Sequence, residues 1–276
     1  MRGSNSASRD HRSVSEIREH LRTGGPALVA LSGGVDSSLV AAFASDALGR
    51  DAIAVTLCGA AVSRVEVERA RRVAAFLEIA HEVIEVDPLA RQEYRSNPVN
   101  RCYFCRSVET GVLRAHGDRR GVRQYLDGIH WDDLADDRPG IRAMDEAGFA
   151  HPLVWAGWSK AEVRAAARGR GLPNWDEPSN SCLASRIAHG QTLSRDLLSR
   201  VEAAESFVHQ LGFRRVRVRV DGRAARIEVD PEQVARLASE PTAGKVTAAL
   251  GALGFGPITI DPEGYRHGPR ALPTLP

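Results

Sequence analysis

Leu31-Ser32-Gly33-Gly34-Val35-Asp36-Ser37-Ser38 follows the apolar run Ala27-Leu28-Val29-Ala30 and precedes the helix-like Leu39-Val40-Ala41-Ala42-Phe43-Ala44. A strand that breaks at a glycine pair and re-enters as a helix turns the first free N–H groups of that helix toward one point. The hydroxyls of Ser32, Ser37 and Ser38 flank that point, so the stretch has the makings of a pocket for phosphate oxygens. The GxxxxGK[ST] loop of other nucleotide-binding proteins needs a lysine on the β- and γ-phosphates, and no such lysine follows Gly33 or Gly34. The candidate ligands are therefore Ser32, Gly33, Gly34, Asp36, Ser37 and Ser38. The competing reading is a plain Gly-Gly turn with Asp36 and Ser37 as helix caps.

Outward from this stretch the pattern repeats. Apolar segments at Ala27 to Leu31, Ala52 to Leu57 and His81 to Val86 alternate with helical segments at Ser37 to Leu48, Ser63 to Ile79 and Tyr103 to His116. A further strand at Arg123 to Leu126 ends at Asp127-Gly128. Strands alternating with helices predict an α/β fold, a parallel sheet with right-handed crossovers flanked by helices. Ser159-Lys160-Ala161-Glu162 reads as a capping box opening another helix. Beyond Gln191 the pattern changes to a long amphipathic helix at Ser194 to Leu211. Two alternating strands then surround Asp221-Gly222, two helices follow, and a last strand runs from Ile258 to Ile260. The expected organisation is a disordered leader at 1–12, an α/β domain at 13–190 and a smaller C-terminal α+β domain at 191–276.

The chain has 276 residues, 43% hydrophobic and 26% charged, which fits a globular enzyme of two domains. No apolar run approaches the roughly 18 residues of a membrane span, and the N-terminus lacks the apolar core of a signal peptide. A cytoplasmic location is the expectation. A net charge of +2 provides no general nucleic-acid field.

Four cysteines in such a chain read as reactive or metal-binding rather than as disulfides. Cys102 and Cys105 have C-x-x-C spacing, Cys182 lies in Ser181-Cys182-Leu183-Ala184-Ser185-Arg186, and Cys58 ends an apolar strand as a small core hydrophobe. Three thiols are one short of a closed site. They suit a [4Fe–4S] cluster with one open iron, zinc with an outside ligand, or a nucleophilic Cys182 beside Arg186 and an inert C-x-x-C.

SGGVDS resembles the loop of the N-type ATP pyrophosphatases, which cut ATP between its α- and β-phosphates. With NRCYFC, SNSCLASRI and VRVR in this order, the chain resembles the LarE-type ATP-dependent sulfur transferases of nickel-pincer nucleotide biosynthesis from Ala27 to Ile260. The resemblance implies adenylation of a carboxylate on a pyridinium dicarboxylate mononucleotide and its conversion to a thiocarboxylate, with ATP, Mg2+ and sulfide or another sulfur donor as partners. It implies that Ser32 to Ser38 hold the departing pyrophosphate, that Asp36 faces Mg2+, and that Asp127-Gly128 lies near the nucleotide, although Asp127 also reads as a turn residue. Some members sacrifice the sulfur of one cysteine, and others hold a [4Fe–4S] cluster on three. Cys102, Cys105 and Cys182 resemble the second group.

Alternation puts Arg217 and Arg219 on one strand face, where paired guanidinium forks match a phosphate; from the residues alone a solvated face that also includes Arg215 is the competing reading. The resemblance assigns that phosphate to the mononucleotide, with Ser185, Arg186 and Glu205 nearby, and it implies a homo-oligomer. Arg106 stands where some members have lysine. A transfer-RNA thiolase is the alternative of another substrate class. The chain's 5% aromatics and balanced charge argue against an RNA surface.

Overall fold

The computed structural model describes residues 10–135 and 139–266. The expected leader at 1–12 lies outside them as far as residue 9. Arg12, by contrast, is anchored: its N–H donates to the Ala156 carbonyl at 2.9 Å and its guanidinium lies over the Trp155 ring. The chain divides into two compact units, Met1–Gly59 with Arg64–Val86 and Cys102–Glu177, and Ala60–Ser63 with Asp87–Arg101 and Pro178–Pro276. The expected boundary at 190/191 falls inside the second unit. Residues 178–190 belong there because Arg186 pairs with Glu205 and Ile187 bridges to Val220.

The first unit is built from α1 (Val14–Gly24), β1 (Ala27–Ala30), α2 (Val35–Leu48), β2 (Ala52–Cys58), α3 (Arg64–Phe76) and β3 (Ala80–Glu85). After the short α4 (Gln92–Arg95) of the second unit come α5 (Arg101–Asp118), β4 (Gln124–Leu126), α6 (Pro139–Glu146), α7 (Pro152–Trp155) and α8 (Lys160–Gly169). Its four strands are parallel in the order β3-β2-β1-β4. This is the α/β fold expected from the alternation, and period-two burial explains its layers. Ala27, Val29 and Leu31 face a core shared with α1, α2 and α8, while Leu28 faces the opposite core with Val55, Leu113, Tyr125 and Phe149. Helix α2 is buried on all sides from Leu39 to Ala44, and its alanines let the neighbouring elements approach closely. Chain direction reverses its lateral progress at β1, so the carboxyl ends of β1 and β4 form the topological switch point where ligands settle in such sheets.

The second unit carries α9 (Arg195–Gln210), β5 (Val216–Asp221), β6 (Ala224–Val229), α10 (Val234–Ala238), α11 (Thr242–Ala252) and β7 (Ile258–Ile260). Strands β5 and β6 form a hairpin turning at Gly222, whose φ is +57°, and β7 joins β6 in parallel. Val216, Val218, Val220, Ala225, Ile227 and Val229 form the fully apolar face of this sheet. Arg217, Arg219, Arg226 and Glu228 occupy the other. No described helix is long and apolar enough to cross a membrane.

Candidate active site

Gly33 makes the turn after β1 possible. Its φ is +79°, and a Cβ there would lie 2.6 Å from the Glu66 carbonyl oxygen of α3. Only glycine meets both conditions. Gly34 is the extended N-cap of α2, and its N–H donates to Ser32 Oγ at 3.3 Å. The serines knit the turn together. Ser37 Oγ lies 3.0 Å from Ser32 Oγ and accepts from the Ser32 N–H at 3.1 Å, while Ser37 and Ser38 hydroxyls donate to the Gly34 carbonyl at 3.1 and 2.8 Å. Thr56 Oγ1 donates to the Leu31 carbonyl at 2.7 Å, tying the end of β1 to β2. The structure thus brings the expected loop residues together at the amino end of α2, the electropositive end of a helix.

Three side chains that the sequence reading did not assign to the site complete this region. Asn174, 1% exposed, donates through Nδ2 to the Gly33 carbonyl at 2.8 Å and to Ser38 Oγ at 2.9 Å, so it braces the turn from behind. Lys160 Nζ donates to both Asp36 carboxylate oxygens, at 2.6 and 2.5 Å, while the Lys160 N–H donates to Asp132 Oδ2 at 2.8 Å. Lys160 is the first residue of α8, where the helix dipole disfavours a cation. A lysine just inside the expected Ser159–Glu162 capping box, which the structure forms, was the readable signal of an anionic partner.

The third is His151. Gly128 packs so closely on α2 that a Cβ would lie 2.4 Å from the Ser37 nitrogen, which places Asp127-Gly128 against the loop. Asp127 is 5% exposed. Its Oδ1 accepts from the Ile129 N–H at 3.0 Å and lies 2.8 Å from His151 Nδ1, while Oδ2 is buried with no hydrogen-bond partner among the described residues. His151 Nε2 lies 2.8 Å from Asp145 Oδ1. Burial pulls the His151 pKa down, but hydrogen bonds and charge from Asp127 and Asp145 outweigh it and hold it at about 9. At neutral pH the imidazolium therefore donates to both carboxylates.

In the same unit Cys102 and Cys105 lie near the start of α5, Cys102 exposed and Cys105 half-buried with its thiol donating to Glu109 Oε1 at 3.2 Å. Arg106 pairs with the same Glu109 at 2.7 Å. Cys58 ends β2 and is half-buried, less enclosed than a core hydrophobe. None of the four cysteines forms a disulfide. Among the described residues no group of three or more His, Cys, Asp or Glu side chains is gathered to hold a metal ion. Cys102 and Cys105 belong to the first unit and Cys182 to the second.

In the second unit the charged face of the β5–β6 hairpin lies under the turn that bears Cys182. Arg217 is 5% exposed, and among the described residues its guanidinium donates to two carbonyls, those of Val216 at 2.8 Å and Ser179 at 2.9 Å. Burial first, and the neighbouring Arg186 charge second, lower its pKa to about 10 against the pull of Glu205. Arg219 donates to Glu228 at 3.1 Å and to the Ser185 carbonyl at 3.0 Å. Arg215, which shares the face by alternation, pairs instead with Asp230 at 2.9 Å. The solvated-face reading fails for Arg217, which is enclosed, and the enclosed, undercompensated cation suits an anion.

Arg186 and Glu205 pair with each other. The Arg186 side chain is fully buried and grips Glu205 through Nε and Nη2, at 2.8 and 3.1 Å. Its remaining donors go to Asn180 Oδ1, to the Ser181 carbonyl and hydroxyl, to the Cys182 carbonyl and to Ser185 Oγ.

Residues 14–97 match the asparagine synthase family. The chain is 40% identical over 242 residues to uncharacterized protein slr1717 of Synechocystis, covering 88% of this chain and 90% of the relative. It is 34% identical over 241 residues to the pyridinium-3,5-bisthiocarboxylic acid mononucleotide synthase of Lactiplantibacillus plantarum, covering 87% of each. Over 179 residues, 60% of this chain and 64% of the relative, it is 31% identical to an NH(3)-dependent NAD(+) synthetase of Halobacterium salinarum.

Proposed function

Because the chain belongs to the LarE-type family of ATP-dependent sulfur transferases, we propose that it adenylates a carboxylate of pyridinium-3,5-dicarboxylate mononucleotide and converts it to a thiocarboxylate. The observation that carries this reading is the serine- and glycine-built turn at the β1–β4 switch point, with Asp36 and Lys160 beside it and no P-loop lysine within it. The similarity to the L. plantarum mononucleotide synthase supports the choice of acceptor.

In the proposed first step a substrate carboxylate oxygen attacks the α-phosphorus of ATP and pyrophosphate leaves. The free N–H groups of α2 and the Ser32, Ser37 and Ser38 hydroxyls then stabilise the charge that builds on the leaving oxygens. Asp36 supplies hard carboxylate oxygens suited to Mg2+, which would add charge stabilisation at that point, and Lys160 adds a fixed cation. Asp127, with a buried unsatisfied oxygen, is the acceptor for a hydrogen-bond donor of the nucleotide.

In the second step a sulfur nucleophile attacks the acyl carbon and AMP leaves. Arg217, Arg219 and Ser185 hold the mononucleotide phosphate in this reading. Cys102, Cys105 and Cys182 have the thiolate chemistry that a [4Fe–4S] cluster takes, and such a group, when bound, supplies an open iron position for external sulfide. Anaerobic iron and sulfide analysis tests this part. The expected result is cluster iron that disappears in Cys182→Ala, whereas an iron-free protein after anaerobic reconstitution contradicts it. In that case dehydroalanine at Cys182 after turnover identifies cysteine-sacrificing transfer instead.

A further inference from the structure

The turn bearing Cys182 is held from below through its carbonyl oxygens. Those of Ser181 and Cys182 accept from Arg186 at 2.6 and 3.1 Å, that of Ser179 from Arg217, and that of Ser185 from Arg219. From the backbone side the Leu183 N–H donates to the Ala61 carbonyl at 2.8 Å and the Ser185 N–H to that of Cys182 at 2.9 Å. Arg186 is the centre of this arrangement, because its one planar fork reaches four residues of the turn while Glu205 grips it from the other side. Glu205 is itself fixed, accepting the Val218 N–H at 3.0 Å. A rigid sheet strand therefore sets the position of a carboxylate, the carboxylate sets the guanidinium, and the guanidinium sets the backbone of Cys182.

We propose that Arg186, held by Glu205, is a positioning residue for Cys182, fixing the turn that presents the thiol rather than touching the substrate phosphate. Its donors are directed at protein acceptors and its side chain has no exposed surface, whereas Arg217 carries the undercompensated charge. Lysine cannot substitute. A compact ammonium can satisfy Glu205 but cannot at the same time reach Asn180, Ser181, Cys182 and Ser185. The inference rests on the proposed participation of Cys182 in sulfur transfer.

The test uses the full chain, freed of iron with a chelator, in wild type and Arg186→Lys. Alkylation of each cysteine by iodoacetamide is timed by peptide mass spectrometry, and steady-state thiolation is measured on the same two proteins after anaerobic reconstitution with iron and sulfide. Positioning predicts that Cys182 alone reacts faster, by about tenfold, as its turn opens locally. Cys58, Cys102 and Cys105 keep their rates. It also predicts that kcat for thiolation falls at least about tenfold while KM for the mononucleotide stays within about twofold. Unchanged Cys182 reactivity, uniform acceleration of all four thiols, or a raised KM with kcat retained overturns the proposal, the last by making Arg186 a direct phosphate ligand. Should Arg186→Lys fail to fold, the paired replacement Arg186→Met with Glu205→Leu removes both buried charges together and is read in the same way. Full thiolation by Cys182→Ala would instead remove the role of Cys182, leaving the alkylation result to report on the turn alone.

Discussion

Gly33 lies against the backbone of α3 and Gly128 against that of the first turn of α2. Gly33→Ala combines a positive φ with a methyl 2.6 Å from the Glu66 carbonyl, and should lower stability by about 1–3 kcal/mol, seen as a reduced urea midpoint at unchanged slope. His151 gives a prediction whose sign follows from its raised pKa. A histidine held at about 9 against an ordinary 6.5 stabilises fully below its unfolded value, and the contribution fades as pH rises through about 9. The stability difference between wild type and His151→Asn, measured by denaturant titration, should therefore reach up to about 3 kcal/mol near pH 6 and shrink toward the alkaline end. A difference that grows with pH contradicts the ion pairs with Asp127 and Asp145. None of the His151 geometry was legible beforehand, because its two partners are set by where β4 ends and α6 stops rather than by any spacing.

At the scale of elements, β1, the turn and α2 were readable because strand period, glycine pair and helix period follow one another without interruption. Lys160 was legible only as a cation placed against the dipole at a helix start; its partner was not, since α8 must fold back before the ammonium meets Asp36. Lys160→Met should reduce pyrophosphate release by about a hundredfold, comparable to loss of one preorganised charge-stabilising donor, with the denaturation midpoint little changed. Strand alternation likewise identified Arg217 and Arg219 but left a solvated face open. It carries no information about what covers that face, and the covering segment, from Ser179 to Arg186, has no period of its own. Arg217→Met keeps the buried volume and removes the charge, so the mononucleotide KM should rise about 10- to 100-fold with a smaller change in kcat. An unchanged KM would place the phosphate elsewhere.

For the molecule as a whole, the two compact units divide the chemistry by residue. The pyrophosphate turn, Lys160, Asp127, Cys102 and Cys105 belong to the first, and Cys182 with the buried arginines to the second. A single cut in the sequence missed this, because Asp87–Arg101 and Ala60–Ser63 pack with a segment far along the chain: Asn97 Nδ2 donates to the Ala188 carbonyl at 2.8 Å, and the Leu183 N–H to that of Ala61. Composition changes only near residue 191, after the structural change has already happened. Whether ATP cleavage activates a carboxylate for sulfur is decided by incubating the full chain with ATP, Mg2+, sulfide and pyridinium-3,5-dicarboxylate mononucleotide, and following both products. AMP and pyrophosphate should be released in step with a mononucleotide in which sulfur replaces a carboxylate oxygen. Formation of ADP and phosphate, or pyrophosphate release with no thiolated product in the presence of sulfide, would contradict it.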